Sequence, residues 1–166
     1  MSDHFNKKKQ LQDKLEVVKL NFLRLLGEIP DKDLERKFAS KNWTIKEELV
    51  HIVQVLEVIP LGMEQACKGG RRPLLGFVPT NLRSWVNGQW IIPRKAKHET
   101  RDTIAKAYLD AHEILVNQLN EVNENDWEKG MPYPRNFRTV EQMALRPIEH
   151  FEEHKAHICS MLTLEN

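Results

Sequence analysis

Between Lys8 and Leu26 the apolar residues Leu11, Leu15, Val18, Phe22 and Leu25 follow one another in alternating steps of four and three. That spacing keeps one stripe along an α-helix and predicts an amphipathic helix packed in a bundle. Gly27 permits a left-handed cap and Pro30 cannot continue a helix, so together they supply the stop. A second helix is announced by Trp43-Thr44-Ile45-Lys46-Glu47. Thr44 can cap the amide three residues on, Glu47 can reach back, and Trp43 can staple onto Leu49 or the neighbourhood of Glu48. The run Leu49-Val50-His51-Ile52-Val53-Gln54-Val55-Leu56 is apolar nearly all round, which predicts a central, buried helix. Pro60 is expected to bend or end it, with room for one or two further turns from Leu61 to Lys68.

The helical period returns from about Thr100 to Val122 through Ile104, Ala107, Ala111, Ile114, Leu115, Leu119 and Val122. Asp126-Trp127 and Gly130-Met131-Pro132-Tyr133-Pro134 break the chain again. Thr139-Val140-Glu141-Gln142 then reads as a capping box opening a last helix through about Leu162. Pro147 falls inside that helix, where it removes a backbone bond and crowds the carbonyl of Met143, so a kink is expected there. The two caps suggest internal symmetry, with His51 seven residues beyond Thr44 and His150 eleven beyond Thr139, as if both faced one end of the bundle. Four long helices and no strand pattern predict an all-α, four-helix bundle forming one domain over residues 1–166. The long irregular stretch between helices two and three, about residues 69–99, is its connector.

Composition changes this picture little. The chain has 166 residues, 40% apolar and 30% charged, with a formal net charge of +1. That is enough to bury a core, and it leaves no global field to draw the chain to nucleic acid or anionic lipid. Cys67 and Cys159 are too few for a disulfide framework or a thiolate zinc site, so a reduced, cytoplasmic setting is expected. No apolar run follows the basic N-terminus as a signal peptide would require, and no segment approaches the roughly 18 consecutive apolar residues of a membrane span. Charge matters locally, in the connector. It carries Arg71, Arg72, Arg83, Arg94, Lys95 and Lys97, with no acid before Glu99, beside the aromatics Phe77, Trp85 and Trp90. The segment is either a lid attracting an anionic substrate, with Trp85, Trp90 and Arg94 as its contact residues, or a solvated basic loop pinned by its tryptophans.

The candidate chemistry lies in Pro147-Ile148-Glu149-His150-Phe151-Glu152-Glu153-His154-Lys155-Ala156-His157-Ile158. His150, His154 and His157 are four and three apart and share one side of a helix with Met161. Two imidazoles one turn apart can grip one divalent metal, and a further ligand must come from another element. His51, alone in helix two's apolar run, is the best offer; a hydrogen-bonded core histidine is the bland alternative. His4 lies in a tail, His98 in a loop, and His112 on a mostly polar helix side. Glu47 can orient His51 or, as the third residue after Thr44, serve as the capping-box acid.

Trp43-Thr44-Ile45-Lys46-Glu47-Glu48-Leu49-Val50-His51 together with His150-Phe151-Glu152-Glu153-His154-Lys155-Ala156-His157-Ile158 resembles the DinB/YfiT-like superfamily. Asp126-Trp127 and Phe137-Arg138-Thr139-Val140 match as well, so the resemblance spans nearly the whole chain. It implies a four-helix bundle with one divalent metal, zinc or nickel, held by His51, His150 and His154. By the same resemblance His157 is not a ligand and belongs behind the site or in the core. The connector is longer than the family leads one to expect.

Three neutral imidazoles leave coordination positions open, as at catalytic zinc. Such a metal brings a bound water toward a pKa of about 7, or ionises a coordinated thiol. The resemblance therefore implies a thiol-dependent S-transferase, using a low-molecular-weight thiol as co-substrate, or a metal-dependent hydrolase, acting on a small molecule. A metal- or ligand-binding bundle without catalysis is the other class. No recognition-helix motif points to DNA, and a leftover apolar face on helix one or three would suit a homodimer.

Overall fold

The computed structural model describes residues 2–37, 43–70, 86–132 and 136–163, with the side chains of 2–5 and 163 left aside. Helix α1 spans Ser2–Glu28. It begins before its apolar stripe because its polar first turns are tied down: Lys7 reaches Glu141 at 2.8 Å and Lys8 reaches the carbonyl of Asn120 at 2.7 Å. The stripe is buried as predicted, from Leu11 through Leu15, Val18 and Phe22 to Leu25. Helix α2 spans Ile45–Cys67. Pro60 does not end it; the helix runs on to Cys67 with Pro60 itself buried.

After the connector's first part, a π-helical turn at Asn87–Ile91 leads into the short helix α3, Ile92–Ala96. Helix α4 spans Arg101–Glu121, capped reciprocally by Thr100 and Thr103. Its inward face differs from the predicted one. Ile114 is 58% exposed, while Tyr108 and His112 are buried beside Ile104, Ala111, Leu115 and Leu119. The reason lies on α1: the Phe22 ring stacks on Tyr108 at 4.0 Å, which turns that side of α4 inward. His112, expected on a polar side, is covered for the same reason.

The break before the last helix contains two short antiparallel strands, β1 (Gly130–Pro132) and β2 (Phe137–Thr139), where no strand was expected. Gly130 is required there, since a Cβ would stand 2.4 Å from the carbonyl oxygen of Arg138. Helix α5, Val140–Thr163, opens on the predicted box: Thr139 and Gln142 each accept from the other's amide, at 3.2 and 3.1 Å. It is unbroken across Pro147.

The architecture is a four-helix bundle of α1, α2, α4 and α5. Both α1 and α2 pack against α4 and α5, so the first two long helices occupy opposite corners. After α1, Arg36 reaches the bundle's end, donating to the carbonyl of Met161 at 3.1 Å, near the end of α5. Helix α2 is long and apolar enough to cross a bilayer by length and composition, but half of that window is buried against its neighbours. Helices α2 and α5 run antiparallel: Glu48 meets His154 at one end, and Gly62 faces Met143 towards the other. The two caps therefore lie at opposite ends of the bundle, and His51 and His150 meet between them.

Candidate metal centre

The site is built on the facing sides of α2 and α5. The Thr44 box fixes where α2 begins. The Glu47 amide donates to Thr44 Oγ1 at 3.1 Å, and the Thr44 amide donates to Glu47 Oε2 at 2.7 Å. Of the two roles open to Glu47, the cap is the one its carboxylate fills. Starting the helix there aims Glu48 and, three residues on, His51 at α5.

His150 and His154, one turn apart on α5, are 5% and 8% exposed; His51 on α2 is half-buried. The His51 ring lies 4.8 Å from that of His150 and 5.1 Å from that of His154, and the latter two are 4.3 Å apart. One ring nitrogen from each of the three falls within 4.8 Å of the other two. The Nε2 atoms of His150 and His154 face each other at 3.1 Å. In tetrahedral zinc coordination, two imidazole nitrogens at the usual bond length stand about 3.3 Å apart. Two facing ring nitrogens need a proton or a cation between them, and imidazole is a donor suited to zinc and nickel. The residues present fit a divalent metal.

His157 is exposed rather than packed behind the ligands. Its ring is 6.0 Å from that of His154, at the solvent edge of the group it forms with His154 and Glu48. Sequence reasoning missed Glu48. Its side chain is completely buried, and its carboxylate is hydrogen-bonded to Nδ1 of His154. A signal was available: Glu48 is three residues before His51, so the acid beginning the apolar run shares the histidine's side of the helix.

The connector reaches the site at one end. His51 Nδ1 is 3.4 Å from Gln54 Oε1, and Gln54 exchanges two amide hydrogen bonds with Asn87, at 2.9 and 3.1 Å. Trp43 packs against the core beside His51. Its ring stands edge-on to His51 at 5.0 Å, and its Nε1–H donates to the carbonyl of Gly88 at 2.7 Å. Trp90 and Arg94 are placed otherwise: Trp90 is 49% exposed, Arg94 lies over its ring at 4.7 Å, and Lys95 pairs with Glu57. Their described contacts are with each other rather than with the histidines. Trp85, with Arg71, Arg72, Phe77 and Arg83, lies outside the described residues.

Of the other histidines, His98 is exposed and His112 is buried between α4 and α1, 3.9 Å from Glu16. Burial holds the His112 imidazole below its ordinary pKa; Lys19 adds to that, and Glu16 and the Leu15 backbone oppose it.

The chain matches the sequence pattern of the DinB superfamily over residues 14–158. No curated protein matches it in sequence. Among solved structures it is similar to YfiT from Bacillus subtilis, with a TM-score of 0.71 and 15% identity over 92% of this chain and 84% of that one. YfiT is described as a probable metal-dependent hydrolase with an unusual four-helix bundle topology. At that identity the likeness is one of fold.

Proposed function

The chain belongs to the DinB superfamily, and we propose that it is a divalent-metal-dependent enzyme whose centre is His51, His150 and His154. One observation carries this reading: three imidazoles from two antiparallel helices bring one ring nitrogen each to a common point, and one of them, His51, is half open to solvent. A closed, purely structural centre would need a fourth protein ligand. Among the described residues neither nearby candidate supplies it, since Glu48 is engaged with the far side of the His154 ring and His157 is exposed.

A bound zinc or nickel ion supplies Lewis acidity to an oxygen or sulfur nucleophile at neutral pH. The chain's own residues position and shelter it. His150 and His154 would hold the buried side, and His51, with Trp43 and the Asn87–Gly88 turn beside it, lies on the less buried side. Two reactions suit such a centre, hydrolysis and the transfer of a low-molecular-weight thiol to an electrophile. YfiT's description favours the first.

Metal content is the test. Elemental analysis of untagged protein should find about one zinc or nickel per chain, lost in both His51→Ala and His154→Ala. The loaded protein is then assayed on ester and amide panels without thiol, and on electrophiles with a thiol present. A wild type that takes up neither metal after incubation sinks the proposal.

A further inference from the structure

We infer that Glu48 is the positioning residue of this centre: by accepting from Nδ1 of His154 it fixes which nitrogen of that ring is left for the metal. The inference rests on the three-histidine reading. A neutral imidazole carries one N–H, and a partner that accepts from one nitrogen leaves the lone pair on the other. A carboxylate at Nδ1 therefore leaves Nε2 as the donor atom, and Nε2 is the atom that faces His150 at 3.1 Å. Carboxylates behind ligating histidines set ring orientation and raise basicity in this way.

Burial separates this role from that of a general base. Glu48 has no exposed surface, so neither substrate nor bulk water reaches it as they would reach a general base. Charge gives a second argument. A buried carboxylate is costly unless compensated, and a cation on the far side of the hydrogen-bonded ring adds to that compensation. The rival is a second ion held by Glu48, Nδ1 of His154 and His157, whose donor atoms also lie within 4.8 Å of one another. That arrangement would strip the Nδ1 proton and turn His154 into a bridge between two metals.

The experiment uses the full chain, first metal-free, then titrated with zinc against a chelating dye. Long-range proton–nitrogen spectra of the metal-free wild type should show His154 protonated at Nδ1, and Glu48→Leu should lose that preference. Zinc should bind at one equivalent, weakened about 10- to 100-fold in Glu48→Leu. Glu48→Gln keeps an acceptor without the charge and should fall between. Thermal melts of the metal-free variants act as the control, since removing one partner of a buried pair can itself destabilise the fold. A wild type that binds zinc no more tightly than Glu48→Leu overturns the inference and leaves the three-histidine reading standing. So does a His154 protonated at Nε2, or a second equivalent of zinc lost with Glu48. A wild type that binds no zinc overturns that reading and this inference together.

Discussion

His112 and the site histidines are chemically identical and do opposite work. His112 is held neutral by burial between α4 and α1, so its folded-state pKa lies below the ordinary value. Unfolding returns it to about 6.5 and lets it take up a proton. The stability it contributes is therefore fully present above that pH and is lost as the pH falls toward the depressed folded value. Melting the metal-free protein at pH 7.5 and 5.5 should show a drop in the wild type that is smaller in His112→Gln. Equal drops in the two proteins would remove His112 from the account. The same contrast marks what a sequence discloses at this scale. His150 and His154 are legible because one helix sets their spacing, and His51 because it interrupts an apolar run. The burial of His112 is set by which helix lies opposite, and its own neighbours along the chain do not carry that information, whereas Glu48 had one local signal, its place three residues before His51.

Two elements were legible from side chains that close their own helix. The Thr44–Glu47 and Thr139–Gln142 boxes were readable because cap and acceptor are three residues apart, and both form. The three-residue strands β1 and β2 were not, because strands that short hold no alternation to read. The inward face of α4 was read partly wrong for a third reason: Ala107 and Ile114 fit the period as well as Tyr108 does, and only Phe22 across the gap decides between them. The first cap also bears on the site. Thr44→Ala should cost about 1 kcal/mol of stability, the usual value of an N-cap side chain. Because Glu48 lies one residue beyond the box, fraying there should weaken zinc binding too. Chemical denaturation and a zinc titration on one preparation measure both. Lost stability with unchanged affinity would mean that α5 alone positions the site. A second element-scale expectation concerns the Asn87–Gly88 turn. A Cβ at Gly88 would press on the Trp43 ring at 3.3 Å. Gly88→Ala should shift the tryptophan emission and alter its response to zinc, and an unchanged spectrum would show that the turn yields without disturbing Trp43.

At the scale of the molecule, the placement of α1 and α2 at opposite corners makes both α4 and α5 shared neighbours. Phe22 shows the consequence: from α1 it stacks on Tyr108 of α4 and meets Phe151 of α5 edge-on at 6.2 Å. Leu49, Leu56, Ile59 and Met63 close the core from α2, each with no more than 2% exposure. The histidines contribute nothing to that continuity. They sit where α2 meets α5, beside a core already joined by apolar contacts. A metal there would work as a staple between two helices that pack without it, and not as the nucleus of the fold. Chelation should therefore lower the melting temperature and keep a single cooperative transition with helical circular dichroism. With free zinc at 100 times its dissociation constant, the metal stabilises the folded chain by about 2.7 kcal/mol. For a protein of this size that corresponds to roughly 5–10 °C. The shift should vanish in His154→Ala, whose metal-free melt should be unaffected by chelator. Loss of helicity on chelation would instead mean that the metal and the core form together, and that the apolar contacts between α2 and α5 do not suffice to hold the bundle.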